Sequence, residues 1–474
     1  MSAYLDLNAS TWAQKNFKNI DIGDKRRIRR VVNIAECMAI SPGKSIPQLF
    51  DDVYAIKATY ELFKNKQSTP DNLQKGHRAL VYEELNKSGV YLLVEDTSAL
   101  SWSGNAPVNG LGPIGASTEG LQGFLLQSVL AIRWPKDILD HQNISLEILG
   151  LADQQYLTRL SKRKKLKRKT ARECTDELES KIWERTIERL PSPPKIESIR
   201  WVRVCDRGAD IYESLIQNIK NNYGFVVRAA QDRQIRLEDG KTSRLFTSIR
   251  ELKETGNFSL DLRSRLNQPA RKVNLSIAFQ SVKLNSPQRP GFERGKLPSI
   301  ECTAVRVWEQ NSLEGIECIE WILLCDQKIT TFEEALICVQ QYSCRWVVED
   351  FHKALKTGLG AEKLQLEEAH RLFAAISIMS IVALRLVDIR ERFRINPDNS
   401  ADKSGLSSLE IKVLEKRLKR VLKTVKDVNL AIGRLGGHMN RKGDGMPGLL
   451  TLWRGMQRLT ELVEGAQLAA ELCV

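Results

Sequence analysis

Tyr342, Arg345, Glu349, Lys353 and Lys356 place one carboxylate, three cations and a phenol within one short segment. At about 100° per residue, with Tyr342 at zero, the other four fall at roughly 300°, 340°, 20° and 320°. Periodicity therefore predicts a single helix with all five side chains on one stripe. Val347, Val348, Phe351, Ala354 and Leu355 fall between roughly 120° and 240°, an apolar face on the other side. A solvated helix scatters both signs of charge around its surface. Cations gathered around one acid suit a different task, the gripping of phosphates beside a metal ion. Ordinary ion pairing of Glu349 with Arg345, Lys353 and Lys356 is the alternative reading of the same spacing.

Two further acids stand where short apolar runs end. Val90–Val94 runs into Glu95 and Asp96, and Ile199–Val204 runs into Cys205 and Asp206. A buried strand delivers such residues to the rim of a sheet. Asp96, Asp206 and Glu349 together would supply the hard oxygen donors that two Mg²⁺ ions take, with Mn²⁺ able to substitute. Glu95 competes with Asp96, because strand alternation points the two to opposite faces and period alone does not choose between them. An acid after a strand also serves as a helix cap or turn residue.

These side chains need a scaffold, and the composition allows a large one. The chain has 474 residues, 27% of them charged and 42% hydrophobic, which is globular rather than disordered. A formal net charge of +14 and an isoelectric point near 9.3 favour a polyanionic partner, nucleic acid before membrane. The longest uncharged apolar run, Leu372–Leu384, is short for a bilayer and reads as a buried core helix. The N-terminus lacks the basic and apolar pattern of a secretion signal, so the expectation is a cytoplasmic protein working at the nucleoid. Nine scattered cysteines, none at CxxC spacing, read as reduced thiols.

Residues 1–72 are expected to be a small helical DNA-binding unit, with helices over Thr11–Phe17, Asp24–Met38 and Tyr54–Lys64. The second carries Lys25, Arg26, Arg27, Arg29 and Arg30 in its first turns, a cluster suited to a DNA groove. An α/β unit is expected over 73–390. Helical patterning is read from Leu151 to Arg189, with the densest basic run at Lys162–Lys169, and β-like runs from Gly224 to Cys325. Helix returns at Thr331, and residues 391–474 are expected to form a helical unit after a linker-like stretch at 394–408.

Tyr342, Arg345, Glu349 and Lys356 also spell Y-x2-R-x3-E-x6-K. That pattern is the signature of bacterial insertion-sequence DDE transposases, and the surrounding residues are similar to the transposon five group of that family. Val94–Ser98, Val204–Ile211, Gly23–Arg27, Phe225–Arg228, Trp321–Leu324 and Ile432–Gly437 resemble further family blocks in the same order. The resemblance implies a ribonuclease H-like core with a β-rich insertion at about 224–328, and a C-terminal dimerisation unit. It implies that Asp96, Asp206 and Glu349 hold the metal ions, and that Tyr342, Arg345, Lys353, Lys356 and Arg228 contact the DNA end. Trp321 would stack on a flipped base, and Arg26, Arg27 and Arg30 would bind DNA from the first unit. The implied reaction is cut-and-paste transposition by a homodimer on double-stranded DNA, both terminal inverted repeats and target. A 3′-OH is freed, a hairpin forms and reopens, and the end is joined to target. A metal-dependent nuclease without strand transfer and an inactive DNA-binding inhibitor are the competing functions.

Overall fold

The computed structural model describes residues 9–103, 108–115, 121–135, 146–159, 179–237, 239–262, 271–287, 297–310, 318–395, 397–441 and 444–472. The basic run Lys162–Lys169, part of the glycine-rich segment 104–123, and Cys174 and Cys473 lie outside the described residues. The seven described cysteines are free thiols.

Four helices open the chain: α1 (Ala9–Phe17), α2 (Lys25–Ile40), α3 (Val53–Lys64) and α4 (Pro70–Leu85). Their starts follow capping chemistry, since Asp24 accepts the Arg26 amide, Asp52 that of Tyr54 and Thr69 that of Asn72. Periodicity predicts the first three and misses α4, although the proline at its first position is a helix start signal. Trp12, Phe17, Val31, Ile34 and Phe63 of these helices share one continuous core with the sheet and later helices.

Four strands and a helix come next: β1 (Gly89–Trp102), β2 (Gly112–Pro113), β3 (Gln122–Trp134), β4 (Glu147–Leu157) and α5 (Ile182–Arg189). They are followed by β5 (Ile199–Cys205), α6 (Tyr212–Lys220) and β6 (Gly224–Arg228). β1 pairs antiparallel with β3, which pairs antiparallel with β4, while β5 and β6 run parallel to β1. The spatial order β4-β3-β1-β5-β6 is that of a ribonuclease H-like core. Two sequence expectations are corrected here. Leu151–Leu157 is strand rather than helix, because it closes the free edge of β3. Asp96 is not at a strand end, because β1 continues beyond it to Trp102 against β3.

The β-rich region holds β7 (Gln234–Arg236), β8 (Thr242–Arg244), α7 (Leu245–Arg250), β9 (Gly256–Leu262), β10 (Arg271–Leu284), β11 (Ile300–Glu309) and β12 (Glu320–Cys325). It is not a separate sheet. β12 pairs with β6, so the core sheet runs on through β12, β11 and β10.

The last helices are α8 (Phe332–Ser343), α9 (Trp346–Lys353), α10 (Ala369–Ile395), α11 (Ser408–Leu418), α12 (Val425–Leu435) and α13 (Leu449–Leu472). α8 starts on a capping box between Thr331 and Glu334. α10 includes a window, Ala369–Glu391, long and apolar enough to cross a bilayer, but 78% of that window is buried within the protein. It is the spine on which α2, α3, α4 and α9 pack, in keeping with the apolar run Leu372–Leu384. α12 and α13 cross closely: a Cβ on Gly455 would stand 1.9 Å from the Ile432 carbonyl. Trp453 of α13 belongs to the main core, and Thr460 bonds the Ile40 carbonyl at the end of α2 at 3.1 Å.

Candidate active site

The parallel pairing of β1 with β5 fixes the first two acids. Val94 stands opposite Val204, and both strands then carry an acid two residues on, Asp96 and Asp206. Along β1, Leu92 and Val94 face the core shared with α9 and α10, whereas Tyr91 and Leu93 face α4 and α5. Asp96 follows Leu92 and Val94 by the two-residue period, and Glu95 follows Leu93. The two acids thus take opposite faces of β1, Asp96 on the side where α9 packs.

Glu95 is fully buried and holds Arg203, also fully buried, through two bonds of 2.5 and 2.7 Å. Arg203 donates a third bond to Asn218 at 2.7 Å. The pair locks β1 to β5 one residue below Asp96, and removing either partner would leave a buried charge uncompensated. Arg203, flanked by Val202 and Val204 in the run of β5, was the available signal for this pair.

Asp206 caps the turn after β5 by accepting the Gly208 amide at 2.8 Å. Asp96 accepts the Thr97 amide at 2.9 Å. Burial pushes the Asp96 carboxyl up to about 6; Arg345 opposes the rise, and the charges of Asp206 and Glu349 add to it. The three acids predicted to act together are thus close enough to feel one another. Arg345 stands between two of them, 3.5 Å from Asp96 and bonded to Glu349. Among the described residues no three acidic, thiol or imidazole groups are gathered at ligand spacing. The chemistry of the three acids nonetheless suits a hard divalent cation: oxygen donors from β1, the end of β5 and α9, with mutual repulsion that a cation would relieve.

The segment carrying Glu349 is not the single helix that periodicity predicts. α8 ends at Ser343, the chain turns at Cys344 and Arg345, α9 begins at Trp346, and a π-helical turn covers Ala354–Gly358. The apolar face is as expected, with Val347, Val348, Phe351, Ala354 and Leu355 all buried. The open stripe is not. Tyr342 is only 4% exposed and packs edge-on against Trp321, ring centroids 5.2 Å apart. Its phenol bonds Arg228 and Arg345, and burial raises its pKa. The break in the helix turns Tyr342 inward, where it positions two arginines instead of standing beside Glu349. Glu349 and Lys353 are exposed; Lys356 donates to the Ala99 carbonyl at 2.7 Å and lies 3.5 Å from Glu362. Lys356 is therefore tied alongside β1 a few residues beyond Asp96.

His352, which sequence spacing does not single out, is buried against Ser128 at 3.1 Å, and Ser128 stands opposite Asp96 on β3. Burial holds this imidazole neutral, its pKa pulled down to about 3. Ser128 leads through Gln154 to Gln74 on α4. A buried polar chain thus runs from the helix of Glu349 to the helices at the start of the chain.

In the first unit, Lys25, Arg26 and Arg29 project from α2 into solvent. Arg27 is half-buried and donates to Ile22 and Gln67, and Arg30 donates to Asn33.

Two family models match the chain. The model for transposase DNA-binding domains covers residues 9–68, the helices α1 to α3. That for the transposase Tn5 dimerisation domain covers residues 407–473, the helices α11 to α13. The two matches together indicate a Tn5-like transposase. Along the chain, its two matched domains flank the region of β1, β5 and α9 that holds Asp96, Asp206 and Glu349. They supply the transposase with DNA binding at one end and homodimer formation at the other.

Proposed function

We propose that this transposase cuts DNA at the ends of a mobile element and joins the freed 3′ ends to target DNA. The observation that carries the reading is the convergence of Asp96, Asp206 and Glu349 from β1, β5 and α9 at one end of the β1–β5 pair. These three residues would hold divalent metal, Mg²⁺ with Mn²⁺ as substitute. The metal supplies activation of a water or hydroxyl and neutralisation of charge on the phosphodiester. The protein's own residues do the rest. Arg345, Lys353 and Lys356 bind phosphates of the end, Tyr342 holds Arg228 and Arg345 in place, and Trp321 offers a half-exposed ring beside them for a displaced base. Exposed cations of α2 bind the inverted repeat, and the C-terminal helices pair two copies so that both ends are held together. A hairpin on the flank is the second-strand route that this arrangement would serve. The expected place of work is wherever the cell keeps its DNA, the bacterial cytoplasm.

The test uses the full-length dimer, duplexes carrying the element's own ends, a plasmid target and Mg²⁺, with nicked, hairpin and joined products resolved on a denaturing gel. Asp96→Asn, Asp206→Asn and Glu349→Gln should each abolish all products while leaving end binding intact. Cleavage without joining by the unaltered protein would favour a nuclease instead, and a variant with normal cleavage would take its residue out of the metal site.

A further inference from the structure

Beside Asp206 the sheet carries a second concave surface, which meets the end-binding groups only at Arg228. Residues of β12 alternate: Trp321 and Leu323 pack toward the core of α8 and α9, and Ile322 and Leu324 toward that of α6 and α7. On the α7 side lies an open cavity of about 170 Å³, lined by Arg207, Arg228, Phe246, Arg250, Glu320 and Ile322 among others. Arg207 is exposed and immediately follows Asp206. Arg228 donates to the Glu320 carbonyl oxygen at 3.0 Å, and so reaches this cavity as well as Tyr342. Arg250 lies over the Phe246 ring, 5.5 Å from its centre.

The balance of charge in this cleft is uneven. Glu320 is its only acid among the lining residues, and its carboxylate is already shared by Arg250 and Arg306, each at 3.0–3.1 Å through its Nε. Three lining guanidiniums face that one engaged carboxylate, so positive charge is left over. Guanidinium forks match phosphate oxygens in a planar, two-bonded way that ammonium groups do not. The cavity is too small for a folded ligand or a cofactor of ordinary size. It is open, and it fits one backbone phosphate of a strand that runs on in both directions.

We infer that Arg207 and Arg250, on the side of the cleft away from Arg228, bind a phosphodiester of the target strand as it approaches Asp206, resting on the transposase reading above. Joining brings two DNA segments to the same carboxylates. The end occupies the Trp321 and Lys356 side, so the face of β12 turned to α7 is left for the other segment. Phe246, half-buried beneath Arg250, supports the guanidinium that meets the incoming phosphate.

The test compares full-length protein with Arg207→Gln, Arg250→Gln and the double variant; Lys220→Gln, exposed on α6, controls for net charge. Three readouts are taken: gel-shift binding of pre-cleaved end duplexes, joining of those ends to a plasmid, and anisotropy of a fluorescent random-sequence duplex. Each cleft variant should lose roughly tenfold in joining and in random-duplex binding, as expected for one charge-assisted contact, with end binding unchanged. The control should keep all three. Equal losses in end binding would overturn the assignment to target and give the cleft to the end. Unchanged random-duplex binding in the double variant would overturn the site altogether. If unaltered protein joins no ends, the transposase reading fails, while the anisotropy still tests the cleft.

Discussion

Replacing Asp96 by asparagine should stabilise the metal-free protein at neutral pH while abolishing its chemistry. The folded carboxyl titrates at about 6 against 3.8 for an unperturbed aspartate, chiefly because burial disfavours its charge. Between those two values the native state binds the proton and the unfolded chain does not. Stability is therefore lost as pH rises from near 4 to near 6, and stays lower above it. The gap between the two values corresponds to about 3 kcal/mol, an upper limit on what the buried charge costs. Asparagine retains an acceptor for the Thr97 amide and gives up the attraction of Arg345, so a gain of about 1–3 kcal/mol at pH 8 is expected. The assay is urea unfolding followed by tryptophan fluorescence in the presence of a chelator, at pH 8 and near pH 4, for both proteins. The midpoint should move up at pH 8 and hardly at all near pH 4, where aspartate is already protonated. A gain of the same size at both pH values, or a loss at pH 8, would refute the electrostatic origin.

Other expectations follow from individual interactions. Arg203→Met should cost about 3–5 kcal/mol by leaving Glu95 charged and buried, whereas Glu95→Leu with Arg203→Met should recover most of that loss in the same unfolding assay. Tyr342→Phe keeps the packing on Trp321 but loses the hydroxyl shared by Arg228 and Arg345; stability should fall by only about 1 kcal/mol while cleavage falls further, measured on the same preparation. Gly150→Ala should destabilise the protein by about 1–3 kcal/mol, because the new methyl would stand 2.6 Å from the His77 ring that receives the Leu151 amide, and calorimetry would show it. Replacing Lys25, Arg26 and Arg29 together by glutamine should flatten the salt dependence of end binding by roughly 0.9 for every phosphate the helix ceases to neutralise; an unchanged slope would remove α2 from the DNA interface.

The legible parts of the fold are those set by local chemistry. The Asp24 and Thr331 caps, the apolar face of Val347, Val348 and Phe351, and the apolar core of α10 follow from side-chain type and spacing. So does the nature of the partner, from the excess of lysine and arginine. β4 is hard to read because Leu151–Leu157 carries polar residues on a strand covered on both faces, which hides the period. The end of β1 is equally hidden, because its outer half turns polar where it lines the site, as Asp96, Thr97 and Ser98 do.

The sequence by itself offered the candidate side chains, since acids after apolar runs and an acid among cations supply hard oxygen donors. It also determined the order of the matched domains along the chain. The tertiary structure decided which face each side chain serves. Strand alternation offers Glu95 and Asp96 equally, and only the packing of the two faces pairs Glu95 with Arg203 and turns Asp96 toward Arg345. The helical period offers Tyr342 as an outward group, and only the turn at Cys344 and Arg345 sends it inward against Trp321. Both choices depend on contacts between residues distant in the chain, which a local period does not encode.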